Sequence, residues 1–356
     1  MVYDTLIING KEYGPKALLE KARKSIMDPA RPEWYRNFYE FVADWLENEE
    51  ITVTTSGTTG KPRELTFSKD ALIESAQRTL AFFALKPQDP VLLCLSTQYI
   101  AGKMMVARAF AGRLNLLIAE PSSDPWQAWT EQVKFVPVVP MQLRRLLEKP
   151  EKHHLFSIVL VGGAPMDNTL ERKVQRFKPV VYQSFGMTET LTHVAVRWVN
   201  GENPAQTYRA MEGVNLKTDK QSRLIISADY LPGPVATNDV VTLEDEKRFR
   251  WHGRYDSVIN SGGVKVFPED VESKISGMIY RRFFIAGIPH QELGQQVILV
   301  IEGKPMEESC LEALHNRIRM KVAQHHAPKK ILFCEKFPET SSGKIRRKEV
   351  VERMAP

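Results

Sequence analysis

The stretch Thr54-Thr55-Ser56-Gly57-Thr58-Thr59-Gly60-Lys61-Pro62 crowds glycines, hydroxyls and a lysine into a chain that must turn. Glycines let backbone N–H groups close on an anion. The hydroxyls add donors, and Lys61 adds a positive charge. That chemistry suits phosphate. The spacing is not the Walker pattern, which sets its glycines further apart and follows its lysine with Ser or Thr. Here Gly57 and Gly60 are three apart and Pro62 follows Lys61. A second run, Ser184-Phe185-Gly186-Met187-Thr188-Glu189-Thr190, ends a strand in a glycine turn and presents Thr188 with a carboxylate, Glu189. Oxygen ligands of this kind suit a hard cation held beside phosphates. A third run, Pro338-Glu339-Thr340-Ser341-Ser342-Gly343-Lys344, carries a lysine on a Ser/Gly loop near the C-terminus.

The string Thr-Ser-Gly-Thr-Thr-Gly-Lys-Pro resembles the phosphate-binding signature of the adenylate-forming superfamily, which holds acyl-CoA synthetases, peptide-synthetase adenylation domains and luciferases. The resemblance covers most of the chain from Thr54 onward. It implies that Thr55, Ser56, Gly57, Thr58, Thr59, Gly60 and Lys61 cradle the phosphates of ATP. Gly163 and Ala164, in Val161-Gly162-Gly163-Ala164-Pro165, are implied to pass along the adenine. Ser184, Phe185, Gly186 and Met187 complete that wall, with Phe185 stacking where the family usually has Tyr. Thr188 is implied on the α-phosphate and Glu189 on Mg2+. Asp239, in Ala236-Thr237-Asn238-Asp239, stands where the family's Thr-Gly-Asp holds the ribose hydroxyls; Asn238 replaces the glycine, and Asn tolerates positive φ. Arg254 is implied on ribose or phosphate, and Asp256 as a hinge. Gly262, Gly263 and Lys265 belong to a loop for the thioester step with coenzyme A. Lys344 takes the place of the catalytic lysine. Its ammonium would stabilise charge that builds up only in the transition state of adenylation.

The spacing from Val136-Pro137 through Met141-Leu147 to Val161-Gly162-Gly163-Ala164 is similar to that of the o-succinylbenzoate–CoA ligases of menaquinone biosynthesis. So is Ser261-Gly262-Gly263 leading to Pro268-Glu269-Asp270-Val271-Glu272. This implies an aromatic keto diacid, o-succinylbenzoate, as the small-molecule partner. Its pocket needs an apolar slot and a cationic or hydroxyl-rich end, for which Tyr99, Lys103, Thr190, Thr192 and His193 are candidates. Lys103 faces either solvent or that cavity; if solvent, the cationic end is to be sought at His193 or Arg108. Another aryl- or acyl-CoA ligase is the near alternative. An inactive nucleotide-binding module of the same fold is the distant one, and the presence of Glu189 and Lys344 speaks against it.

The elements that carry these runs are legible from periodicity. Asn9-Gly10 reads as a hairpin turn. Helices are expected over Lys16–Met27 and after Pro32, the second with Trp34, Phe38, Phe41 and Trp45 at helical spacing. Ser68 is placed to cap a helix running to about Ala84. Strands and helices then alternate, with strands at Val91–Leu95, Asn115–Ala119, Phe135–Val139, Ser157–Val161 and Val180–Gln183. The expectation is an α/β fold: a large layered domain over 1–253, shortened at its N-terminus, hinged to a small mobile α+β domain over 254–356. Ligands of such sheets gather at the carboxyl ends of strands. Arg346, Arg347 and Lys348 read as solvated or coenzyme-facing charges.

With 356 residues there is enough chain for two cores. The net charge of +6 comes from 49 basic residues against 43 acidic ones. Nucleic acid is not indicated by so interspersed a balance, and anionic small substrates suit it. Cys94, Cys310 and Cys334 form no zinc or disulfide spacing. Lys103, Arg108 and Arg113 interrupt the most apolar stretch, so no membrane span is expected. The location expected is cytoplasmic, and a homodimer is the assembly the reading allows.

Overall fold

The computed structural model describes residues 3–54, 64–202, 204–339 and 345–354. Asn9 and Gly10 both take positive φ and join Leu6–Ile8 to Lys11–Tyr13 as a two-residue hairpin. The helices Pro15–Met27 and Glu33–Glu47 follow. Phe38, Phe41 and Trp45 are buried, and Trp45 stacks on Phe110 at 5.1 Å. The strands Glu50–Thr54 and Glu64–Ser68 pair only with each other. Ser68 then caps the helix Lys69–Phe82 by accepting the Ala71 N–H at 3.2 Å.

One 13-stranded sheet dominates. Its middle is parallel: Leu6–Ile8, Asn115–Ile118, Pro90–Leu93, Val133–Val138, Phe156–Val161 and Val180–Gly186 lie in that spatial order. The expected parallel sheet is this part. Beyond Val180–Gly186 every neighbour is antiparallel, through His193–Trp198 out to Val214–Thr218. The change follows from the connections. Helical crossovers link the parallel strands, whereas after Gly186 a tight turn sends the chain straight back.

After Ile259 the chain builds a separate 5-stranded sheet flanked by the helices Pro268–Ile275, Glu308–Lys321 and Arg347–Met354. Its core residues, such as Val271, Ile285, Leu299 and Ile318, form clusters that include no residue of the large sheet. The fold is therefore a large α/β part followed by a small α+β part. Of the basic run, Arg346 and Lys348 are solvated, as expected. Arg347 is not: it opens the last helix and turns inward to hold Glu272 through two bonds of 2.8 and 2.9 Å. A buried carboxylate at Glu272 needs a cation, and among the described residues Arg347 reaches it with both arms.

Candidate active site

The two loops expected at the adenine lie side by side at the carboxyl ends of adjacent parallel strands, where Val161 is in register with Gln183. Ser184 donates its hydroxyl to the Val161 carbonyl at 3.0 Å and ties them together. Gly162 is required here, because a Cβ would stand 2.8 Å from the Ser184 hydroxyl. Gly163 has φ +77 and turns the chain outward, leaving Ala164 half-buried beside it. Phe185 is half-buried and packs edge-on against Tyr208 and Phe249 at 5.5 and 5.1 Å.

At Gly186 a side chain would collide with the Thr192 carbonyl and the His193 Cα, so only glycine lets the returning strand come so close. Past Met187, a single 3-10 turn presents Thr188 half-buried and Glu189 exposed. Thr190 is wholly buried. Its hydroxyl accepts the Met187 N–H at 3.0 Å and lies within bonding distance of the Met187 and Thr192 carbonyls. The Thr190 side chain therefore stitches the turn. Leu191 takes φ +65, a left-handed backbone that costs energy for a residue with a Cβ. Nothing in the local residue types signals that strain.

Behind this turn lies a buried cation. Arg108, on the helix Ile100–Gly112, is 2% exposed and pairs with no acid among the described residues. Its Nη2 donates to the Thr192 hydroxyl at 3.1 Å and faces His193 Nδ1 at 3.5 Å. Among the described residues its Nε has no partner, and neither has His193 Nε2. Burial lowers the Arg108 pKa to about 10, so the group stays charged at neutral pH. Burial and then the nearby Arg108 charge push His193 down to about 3, so the imidazole is neutral. With Nδ1 accepting from Arg108, the His193 proton sits on Nε2. Two buried N–H donors are thus without an acceptor, and such groups are costly unless a ligand or water satisfies them.

Lys103 is placed elsewhere. Its ammonium donates to the Thr52 carbonyl at 2.8 Å and lies 5.1 Å over the Phe41 ring. Burial lowers its pKa. Tyr99 precedes the same helix and is 56% exposed. Of the expected acid-pocket residues, the structure groups Thr192 and His193 around Arg108 and sets Lys103 against the strand Glu50–Thr54. Sequence reading offers Arg108 only second, with His193, as the place to seek the cationic end should Lys103 face elsewhere. That single arginine among Met104, Met105, Val106, Ala107, Ala109 and Phe110 was the available signal.

Asp239 is buried on Val235–Leu243 and accepts Trp251 Nε1–H at 2.8 Å. Burial raises its pKa, against the pull of Trp251 and Arg254. Arg254 stands opposite it in register and forks onto Asp256 with two bonds of 2.9 Å. Asp256 lies in the 3-10 turn Tyr255–Ser257 between the two parts of the chain. Gly262 and Gly263, both at positive φ, and Lys265 are exposed. Thr55, Ser56, Gly57, Thr58, Thr59, Gly60, Lys61 and Lys344 lie outside the described residues. The strands Glu50–Thr54 and Glu64–Ser68 flank the first group, and the Glu339–Ile345 bridge flanks Lys344.

Residues 24–219 match the model of the AMP-binding enzyme family. A 2-succinylbenzoate–CoA ligase of Listeria monocytogenes is 26% identical over 343 residues, which covers 88% of this chain and 72% of that protein. The long-chain-fatty-acid–CoA ligase FadD13 of Mycobacterium tuberculosis is 25% identical over 331 residues, covering 82% of this chain and 65% of its own length. Among solved structures, an acyl-CoA synthetase (AMP-forming)/AMP-acid ligase II-like protein of Dyadobacter fermentans is 33% identical with a TM-score of 0.62. The match covers 94% of this chain and 97% of that one. The family model spans more than half of the chain, and the last of these relatives matches it nearly end to end; the chain belongs to the AMP-binding enzymes, the adenylate-forming family, and is of the AMP-forming acid–CoA ligase class.

Proposed function

We propose that the protein is an o-succinylbenzoate–CoA ligase. The observation that carries this reading is the buried Arg108 charge with neutral His193 beside it and no acid to pair with. An acid with one carboxylate presents that group to ATP and leaves Arg108 without a counterion. A diacid presents one carboxylate to ATP and the other to the two unpaired N–H donors. The succinylbenzoate activity named for the Listeria relative fits a diacid of this kind.

In this reading a carboxylate oxygen of the acid attacks the α-phosphorus of ATP, and the bond to pyrophosphate breaks. Thr188 donates to the α-phosphate, and Lys344 stabilises the negative charge that accumulates there. Asp239 accepts from the ribose hydroxyls with the oxygen that Trp251 leaves free. Phe185 and the Gly163–Ala164 backbone flank the adenine. Mg2+ suits the exposed Glu189 carboxylate, because it binds through one or two carboxylates plus substrate phosphates; when bound it supplies charge neutralisation to the departing pyrophosphate. Residues 254–356 then turn about Asp256, and Gly262, Gly263 and Lys265 enter. The coenzyme A thiol loses its proton to solvent, its sulfur attacks the acyl carbon, and AMP leaves with the former bridging oxygen.

The test is pyrophosphate release across mono- and dicarboxylic acids, with and without coenzyme A. The wild type should prefer o-succinylbenzoate over an analogue lacking the ring carboxylate. Arg108→Met keeps an apolar stem and removes the charge-assisted bond, which is worth about 1.5–3 kcal/mol. It should cut kcat/KM for the diacid roughly ten- to a hundredfold and leave the analogue unchanged. Equal loss on both acids would make Arg108 structural.

A further inference from the structure

Arg282 precedes the strand Phe283–His290 of the small part, and its guanidinium meets carboxylates from three segments. It pairs closely with Glu339, and it lies 3.6 Å from both Glu302 and Asp167. It also stands 5.7 Å from the Phe337 ring. These groups frame the two arms that lead into and out of residues 340–344. Glu302 accepts the Phe337 N–H at 2.8 Å, Arg346 N–H donates to the Pro338 carbonyl at 2.9 Å, and Glu339 bridges to Ile345. The base of the lysine segment is thus fastened to itself and to one guanidinium.

The third carboxylate belongs to the large part. Asp167 caps the helix Asn168–Val174, taking the N–H groups of Thr169 and Leu170 on Oδ1, both at 3.0 Å. Its Oδ2 faces Arg144 and Arg282. It lies just past Gly163 and Ala164 in sequence. A cavity of about 660 Å³ lies between the two parts here, with Pro165, Asp167, Arg282, Pro338 and Glu339 among its walls. Asp167 already has Arg144, so neither its charge nor its cap needs Arg282. Glu339 and Asp167, by contrast, are joined across the two parts only through Arg282 among the described residues.

We infer that Arg282 is a positioning residue: it sets the base of the Lys344 segment against the adenine-side loop for adenylation, and it must release Asp167 before the small part can turn for the thioester step. This rests on the reading of Lys344 as the adenylation lysine. Misplacing a catalytic group by about 1 Å costs up to a hundredfold in rate, and that is the effect expected when the bridge is cut.

The experiment measures the two half-reactions of the full-length protein separately. Adenylation is followed by pyrophosphate exchange with the best acid of the screen above, and thioester formation by the reaction of preformed acyl-adenylate with coenzyme A. The variants are Lys344→Ala, Arg282→Met and Asp167→Asn, the last of which keeps a capping oxygen and loses the charge. Arg282→Met should lower kcat of adenylation by about ten- to a hundredfold with KM for ATP and acid near wild type, and leave thioester formation intact. Asp167→Asn should shift adenylation in the same direction by a smaller factor. Unchanged adenylation in Arg282→Met, beside its loss in Lys344→Ala, would overturn the bridge and leave the lysine assignment standing. Equal loss of both half-reactions in Arg282→Met would also overturn it, because a misfolded small part does that. Full adenylation in Lys344→Ala would overturn the lysine assignment and the bridge with it.

Discussion

Arg108 and Lys103 sit on one helix, barely more than a turn apart, yet their surroundings give them different work. Lys103 caps an open edge. Among the described residues the strand Glu50–Thr54 has one strand partner, Glu64–Ser68, so its other side is an open edge of carbonyls. The Lys103 ammonium takes the one at Thr52 and rests on Phe41. Lys103→Met should therefore leave the preference between diacid and analogue untouched. It should loosen the hairpin that flanks 55–63 and raise KM for ATP, by roughly three- to tenfold for one lost bond of about 1 kcal/mol. Comparing the two acids in this variant checks the assignment, since a loss confined to the diacid would return Lys103 to the acid pocket. Sequence alone puts Lys103 first and Arg108 only as a fallback beside His193. Glu189 and Asp239 could be proposed from sequence because their strings are specific. Whether a charge on an apolar helix points in or out is set by what packs on it, and here that is Thr192 and His193, more than eighty positions away.

Between elements, the same division holds. The hairpin at Asn9-Gly10, the cap at Ser68 and the run of parallel strands were all readable, because each is decided by local residue types. The antiparallel half of the large sheet was not readable in this way, since its pairings join strands with no fixed spacing. The helix Pro268–Ile275 carries a consequence of such packing. Glu269 meets Gly253 of the large part, its Oε2 has no partner, and Arg347 is 3.6 Å from its Oε1 while committed to Glu272. Burial, opposed by Arg347 and helped by Glu272 and Asp239, raises the Glu269 pKa to about 7. Burial raises Glu272 too, against the pull of Arg347, which forks onto it and leaves Glu269 the less well paired of the two carboxyls. A carboxyl whose folded pKa is raised contributes stability that is complete below its unfolded pKa and lost as pH rises through the folded one. The fold should weaken by about 1–3 kcal/mol between pH 5 and pH 8 from this group. Glu269→Gln should remove that part of the slope, matching the wild type near pH 5 and exceeding it near pH 8. Parallel urea titrations of both proteins over this range would show it, and identical slopes would mean that the Glu269 carboxyl is solvated.

The molecule as a whole is two bodies on one short connection. The large sheet ends at Arg254, the small sheet begins at Ile259, and the 3-10 turn Tyr255–Ser257 lies between. Polar contacts cross the gap, Arg282 with Asp167 and Asn168 and Arg172 with the Ile279 carbonyl at 3.1 and 2.6 Å, and the Tyr280 ring lies 4.9 Å from the Arg172 guanidinium. Each part has its own apolar core, so the interface between them is one that water can replace. Asp256 is pinned by the fork from Arg254, and that fork must yield if the small part turns about this residue. Asp256→Pro removes the fork but fixes φ near the helical value that a 3-10 turn uses. It should hold the present arrangement and forbid others that need a different φ. The cost falls on Tyr255, since a residue before proline is pushed out of helical backbone; adenylation in the same variant measures that cost. The expected result is adenylation within about threefold of wild type, with thioester formation from preformed acyl-adenylate lowered by about tenfold or more, a barrier increase of about 1.4 kcal/mol or above. If thioester formation keeps pace with adenylation, the turn is not the axis. The rotation would then have to be sought at Val258 or at Gly253, whose φ of +140 already sets it apart.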